Sequence, residues 1–142
     1  MRATLVLCAA LSAGGCATQP AAPAKELLET YWRAEQIDGR AIVQRPGTRE
    51  MHIVLMREGG RMSGFAGCNG LSGSYQLDGS TLRFGDRFAM TRMACVGEGD
   101  ALEAAFTKAL GSAASYRIAG NQLELRDASG AVRMIFEGRA QN

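Results

Sequence analysis

Apolar and polar positions alternate over short stretches through most of this chain, and the breaks between the stretches fall on glycine, proline or Asp-Gly pairs. Alternation with a period of two marks strands with one buried face, and the breaks are turn signals. Tyr31 and Trp32 open an apolar segment that reaches Ile37, and Asp38-Gly39 then turns the chain towards Ala41, Ile42 and Val43. Arg45-Pro46-Gly47 is the next break. Residues 51–56 are almost continuously apolar, which predicts a strand covered on both faces, closed by Glu58-Gly59-Gly60. Residues 61–65 are expected to pair back as a hairpin. Segments 74–77 and 81–84 alternate around Asp78-Gly79, and 88–93 supplies a further strand.

One stretch changes period. Leu102, Ala105, Phe106, Ala109 and Leu110 fall at helical spacing and form a single apolar stripe, which reads as core packing. Asp100 is placed to cap this helix, with Glu103 three residues on to reach back to a free amide, and Gly111 is suited to a left-handed terminator. Period two then returns in 115–118, 122–126 and 132–136, with Gly120-Asn121 and residues 127–130 as turns. Many strands, one helix and three further strands predict a mainly β, α+β fold with one α-helix. Its expected form is a small antiparallel twisted sheet or open barrel packed against the helix. No internal repeat or second-domain boundary interrupts the pattern.

The amino terminus follows a different rule. Arg2 precedes an apolar run from Ala3 to Leu11, far shorter than the ~20 residues that span a bilayer as a helix. The run exits through Ser12, Ala13, Gly14 and Gly15 into Cys16, so residues 1–15 read as a lipoprotein-type signal peptide and Cys16 as the lipidation site. This junction resembles the lipobox of bacterial lipoproteins, in which the cysteine is acylated and becomes the new first residue. Ala13 stands where that motif prefers leucine, and an ordinary cleavage after Ala13 is the alternative. Residues 16–26, with small side chains and Pro20 and Pro23, read as a flexible tether. The tether favours lipidation, and Ala17 after the anchor points, by analogy with sorting in enteric bacteria, to the outer membrane. The remaining domain is 27–138.

Composition narrows the partners. A net charge of +2 in 142 residues, with Arg2 in the signal, lacks the concentrated basic face that nucleic-acid binding needs. The 18 glycines against 3 prolines fit many tight turns.

The central stretch carries a sharper signal. Gly64, Gly67, Cys68, Asn69 and Gly70, then Gly73 and Tyr75, then Thr91, Arg92, Met93, Ala94 and Cys95 resemble the hallmark segments of the META/HslJ-like domain family. Glu103 and Phe106 in the helix, and Tyr116, Gly120, Leu123 and Leu125 beyond it, follow with similar spacing, while Trp32 fits the opening strand. The resemblance covers about 29–137. It implies a β-rich fold with one helix, found in envelope lipoproteins and heat-inducible proteins, with some members linked to stress or antibiotic tolerance. It implies no general catalytic activity.

The residues themselves say little of catalysis. Of the four cysteines, Cys8 lies in the signal and Cys16 at its end, leaving Cys68 and Cys95 as an even pair. Export to an oxidising compartment favours a Cys68–Cys95 disulfide, and two buried free thiols are the alternative. Two separated cysteines and a single histidine, His52, lack the close ligand pairs of a structural zinc site, so no metal is expected. His52, in an apolar strand, reads as a hydrogen-bonded structural residue. Asn69 and the glycines Gly64, Gly67, Gly70 and Gly73 read as a bend, with Asn69 tolerating a left-handed conformation. Arg92 reads as a solvated strand residue. Ser72, Ser74 and Thr91 read as turn and strand residues, and no cofactor motif is present. Two functional classes follow: a non-enzymatic lipoprotein module that binds or assembles with an envelope protein or apolar ligand, and an envelope stress-tolerance factor without a dedicated small ligand.

Overall fold

The computed structural model describes residues 25–140. The signal, Cys8, Cys16 and the tether up to residue 24 lie outside the described residues. The backbone amide of Lys25, within the expected tether, donates to the carbonyl of Gly120 at 2.9 Å.

Asp38 and Gly39 both have positive φ, 49° and 76°, and so make the tight turn that joins β1 (Tyr31–Ile37) to β2 (Arg40–Ala41). The strands β3 (His52–Leu55), β4 (Arg61–Phe65), β5 (Gly70–Asp78) and β6 (Thr81–Phe84) then form an antiparallel meander. The expected strand over 88–93 shrinks to β7 (Ala89–Met90), which pairs with the first half of β5 while β6 pairs with the second. After helix α1 (Gly99–Gly111), the chain adds β8 (Ser115–Ala119), β9 (Gln122–Arg126) and β10 (Val132–Arg139).

β1 pairs with β3 on one side and with β10 on the other, and Trp32 lies opposite Ile53 and Gly138. The order β1-β3-β4-β5-β6-β8-β9-β10 therefore returns to β1, and eight antiparallel strands close into a barrel. Closure removes the open edges of the expected sheet and their unpaired amides. The thinnest seam joins β6 to β8 through the pair Thr81 and Ser115, helped by Leu82 N–H to the Ala114 carbonyl at 3.2 Å and Tyr116 N–H to the Ser80 carbonyl at 3.0 Å.

Alternation puts one side chain in two inside. Trp32 and Ala34 of β1, Ile53 and Leu55 of β3, Leu123 and Leu125 of β9, and Met134 and Phe136 of β10 are all buried. A bulge between Ala34 and Gln36 resets the period, so that Ile37 also points inward. Trp32 is fully enclosed, and its indole N–H donates to the Leu27 carbonyl at 2.8 Å. From α1, Phe106, Ala109 and Leu110 enter this core, with Phe106 edge-on to Phe136 at 6.4 Å between ring centres. Each large apolar side chain enclosed in this way stabilises by roughly 1.5–3 kcal/mol.

The ends of α1 differ from the sequence expectation. The N-cap position is Glu98, with no side-chain cap, and Asp100 lies inside the first turn, where its charge still favours the helix dipole. Gly111 does not take a left-handed conformation, and the helix ends through Ser112, itself in the right-handed region.

Candidate functional site

The loop between β4 and β5 is only four residues long, since Phe65 and Gly70 already face each other across the ladder. Gly67 supplies the left-handed step with φ of 102°, and the Ala66 amide donates to the Asn69 carbonyl at 2.9 Å. This places Cys68 and Asn69 at one end of the barrel. Asn69 is buried, with 5% of its surface exposed, and its right-handed or extended backbone does not take the left-handed role expected of it.

Its side chain instead ties three segments together. The Asn69 Oδ1 accepts from the Met93 amide at 2.7 Å and from the Thr91 hydroxyl at 2.9 Å. The Thr91 Oγ1 in turn accepts from the Gly70 amide at 3.1 Å. On the other side, the Glu103 carboxylate of α1 accepts from the Asn69 backbone amide at 2.8 Å and from its Nδ2 at 3.2 Å. Glu103 is therefore a loop-holding residue, not the return arm of a helix cap. Thr91 belongs to the same latch.

Cys68 and Cys95 are joined, with their Cα atoms 5.6 Å apart, so the disulfide alternative is the one realised. Gly99 opens α1 against this bridge, and a Cβ there would stand 3.0 Å from that of Cys95. The Asn69 Nδ2 lies 3.6 Å from Cys68 Sγ and 3.8 Å from Cys95 Sγ, and the Met93 carbonyl oxygen is 3.8 Å from both sulfurs. Outside the bridge the loop is open to solvent: Arg92 and Ala94 are exposed, Met93 is 67% exposed and Val96 90%.

The other motif residues have packing reasons. A Cβ on Gly64 would lie 2.3 Å from the His52 carbonyl oxygen, and one on Gly73 would lie 2.9 Å from the Phe88 ring. Neither has a positive φ, and Gly70 is not crowded, so of the four glycines assigned to a bend only Gly67 makes one by its conformation. Tyr75 is buried and donates its hydroxyl to the Met56 carbonyl at 2.6 Å. Burial pushes that phenol above its ordinary range, with Glu29 adding to the effect.

His52 sits apart from the cystine, on the outer wall. Its Nδ1–H donates to the Glu50 carbonyl at 2.9 Å and its ring stacks on Tyr31 at 4.3 Å. Burial lowers its pKa, so the ring is neutral at pH 7. Beside it, Tyr31, Val54, Met56 and Ser63 line a shallow depression of about 750 Å³ rimmed by Glu29, Glu50 and Arg139. Arg33 binds Glu35, Glu137 at 2.8 Å and Glu50 at 3.7 Å. The hydrogen bond from Arg33 holds the Glu137 carboxyl below the usual carboxylate range, with Arg139 acting in the same direction.

A family model described as META domain matches residues 25–140. No curated protein matches the chain. Among solved structures, one determined by NMR for a protein from Burkholderia xenovorans is 26% identical, covers 92% of this chain and 100% of its own, and superposes with a TM-score of 0.63. Another NMR structure is 23% identical over 78% of this chain and 90% of its own, with a TM-score of 0.60. A crystal structure of a DUF4847 family protein from Bacteroides vulgatus is 21% identical over 65% of this chain and 61% of its own, with a TM-score of 0.52. The last two likenesses are of fold alone.

Proposed function

Since the chain belongs to the META domain family, we propose that it is a non-catalytic binding or assembly module of the cell envelope. In this reading a lipid on Cys16 holds it at the periplasmic face of the outer membrane, and the domain contacts an envelope protein. The observation that carries the proposal is the latched loop. Met93, 67% exposed, is tied through its amide to Asn69, and Val96, 90% exposed, directly follows the bridged Cys95, with its carbonyl accepting from the Gly99 amide at 3.3 Å. Apolar side chains held out on an ordered backbone lose little further entropy on binding, which is the advantage of preorganisation.

The alternative of an apolar ligand inside the barrel has less support. Trp32, Phe106, Phe136, Leu123 and Leu125 are fully enclosed there and pack the interior. The non-catalytic reading draws on the same chemistry. Cys68 and Cys95 are bridged to each other and the Nδ1 of His52 is committed to Glu50, so the described residues assemble no thiol–imidazole pair.

A photoreactive residue placed at Val96 in the native cell, with one at the exposed Arg83 of β6 as control, tests this reading. A discrete adduct from Val96 alone, weakened by Met93→Asp, is expected. Equal adducts from both positions, or none from Val96, would refute it.

A further inference from the structure

The outer wall of the barrel carries a groove that the strand register builds. Val54 of β3 faces Ser63 of β4, Ser63 faces Ser72 of β5, and Ser72 faces Ala89 of β7. Directly opposed residues project to the same face of a sheet, so these side chains stand in one row across the strands. None of the four is buried, which puts the row on the outside. Two depressions, of about 750 and 380 Å³, meet over it at Met56 and Ser63. Along β4 the same face carries Arg61 and Phe65, two positions either side of Ser63, and these longer side chains wall the short one in. Tyr31, opposite Arg139 in the β1–β10 pair, continues the groove at its far end.

The two ends differ in charge. At the Tyr31 end, Glu50 pairs with Arg33 at 3.7 Å, Glu29 accepts from the Arg57 amide, and Arg139 pairs with Glu137 at 3.1 Å. At the other end Arg61 and Arg87 line the groove, and no carboxylate lines that half. Among the described residues neither of these two arginines forms an ion pair. An anionic occupant therefore finds two uncompensated guanidinium groups there, each able to take a carboxylate in a planar fork.

Shape selects among anions. The groove is shallow and its floor carries the hydroxyls of Ser63 and Ser72, so an acyl chain lying in it would stay wet. Those hydroxyls match the amides and carbonyls of a polypeptide backbone. From β10 through β1, β3, β4 and β5 to β7 the groove crosses about five strand spacings of ~4.8 Å, roughly 24 Å, which about seven extended residues cover. Residues 1–24 contain neither aspartate nor glutamate, so the segment before the domain does not supply the anion.

We infer that the outer groove from Tyr31 to Arg87 binds an extended acidic segment of another polypeptide. Its carboxylates lie on Arg61 and Arg87, and its apolar side chains on Val54, Met56 and Tyr31. This surface is separate from Met93 and Val96, and the inference stands independently of the contact proposed for them.

A fluorescein-labelled heptapeptide of alternating glutamate and leucine is the probe, with its lysine–leucine counterpart as control. The protein is the full chain carrying Cys8→Ser and Cys16→Ser, with the Cys68–Cys95 bridge kept. Anisotropy should show saturable one-to-one binding of the glutamate peptide that weakens as salt is raised, and none of the lysine peptide. Amide resonances of Ser63, Ser72 and Ala89 should shift in the same titration. Arg61→Gln/Arg87→Gln should weaken binding by roughly tenfold, as the loss of two surface ion pairs allows. The charge-matched Arg83→Gln/Arg117→Gln, and Met93→Asp, should leave it unchanged. Near-ultraviolet circular dichroism of Trp32 checks that each variant is folded. No saturable binding, equal binding of the lysine peptide, or equal weakening by the two arginine pairs overturns the inference. So do amide shifts confined to the Met93–Val96 segment, or displacement of the peptide by phosphatidylglycerol vesicles, which would make the groove a lipid site.

Discussion

Gly64 is the residue whose role is most sharply defined, because a Cβ there would meet the backbone oxygen of His52 at 2.3 Å. Backbone cannot rotate away as a flexible side chain can, so Gly64→Ala should destabilise by about 2–3 kcal/mol. Gly111→Ala is the informative counterpart. It has open space and no left-handed φ, and should be neutral or stabilise by up to about 1 kcal/mol. Urea denaturation of the two variants checks both, and equal losses would contradict the packing account. That reason for Gly64 was not legible in the sequence, where a glycine reads as a bend, since its close neighbour sits on another strand. His52 was legible as structural, and it makes a prediction about pH. Burial lowers its folded pKa below the unfolded value of about 6.5. Between those two values the unfolded chain binds more protons, so stability rises with pH across that window and falls as the solution is acidified through it. Thermal melts from pH 7 downward should show this loss, and His52→Gln should flatten that part of the profile while leaving the acid limb from the carboxylates, Glu137 among them.

At the scale of elements, the strands declared themselves through alternation because each has one face on the core, and all of the expected hairpins formed. The helix was equally legible in its stripe of Phe106, Ala109 and Leu110, but not at its ends. Glu103 matched a capping pattern in the sequence, whereas in the fold the short β4–β5 loop brings Asn69 to its carboxylate at 2.8 Å. Local spacing cannot reveal a partner 34 residues away. The latch as a whole was visible only as a family pattern, with Asn69, Thr91, Met93 and Cys95 standing as motif residues without a joint role. The bridge across it, whose ends stand 27 positions apart in the sequence, should stabilise by about 3.5 kcal/mol on the chain-entropy model. Reduction should therefore lower the urea midpoint, with Cys68→Ala/Cys95→Ala showing the same fall without reductant. A midpoint unchanged by both treatments would mean that Asn69 and Glu103 alone hold the loop.

At the scale of the whole molecule, the alternation predicts strands but not their closure, because β1 and β10 come from opposite ends of the domain and only their pairing makes the barrel. Closure also decides how the domain can be attached. The described chain enters beside the β8–β9 turn, where Lys25 bonds to Gly120, and the proposed anchor at Cys16 precedes that point. Residues 17–24 between Cys16 and the domain are small or polar with two prolines, and eight residues can span at most about 26–29 Å. A lipid on Cys16 would thus hold the barrel near the membrane surface while leaving its core intact, so loss of the lipid should change location and not fold. Cys16→Ser is accordingly expected to move the protein from the membrane fraction to the soluble periplasmic fraction. Its Trp32 signal and urea midpoint should match those of a soluble domain prepared without residues 1–16. Intact mass supplies the second readout, since the wild-type chain should begin at an acylated Cys16. If the wild-type chain is itself soluble and begins at Gly14, ordinary cleavage after Ala13 replaces the anchor, and the binding module would act without being held at the membrane.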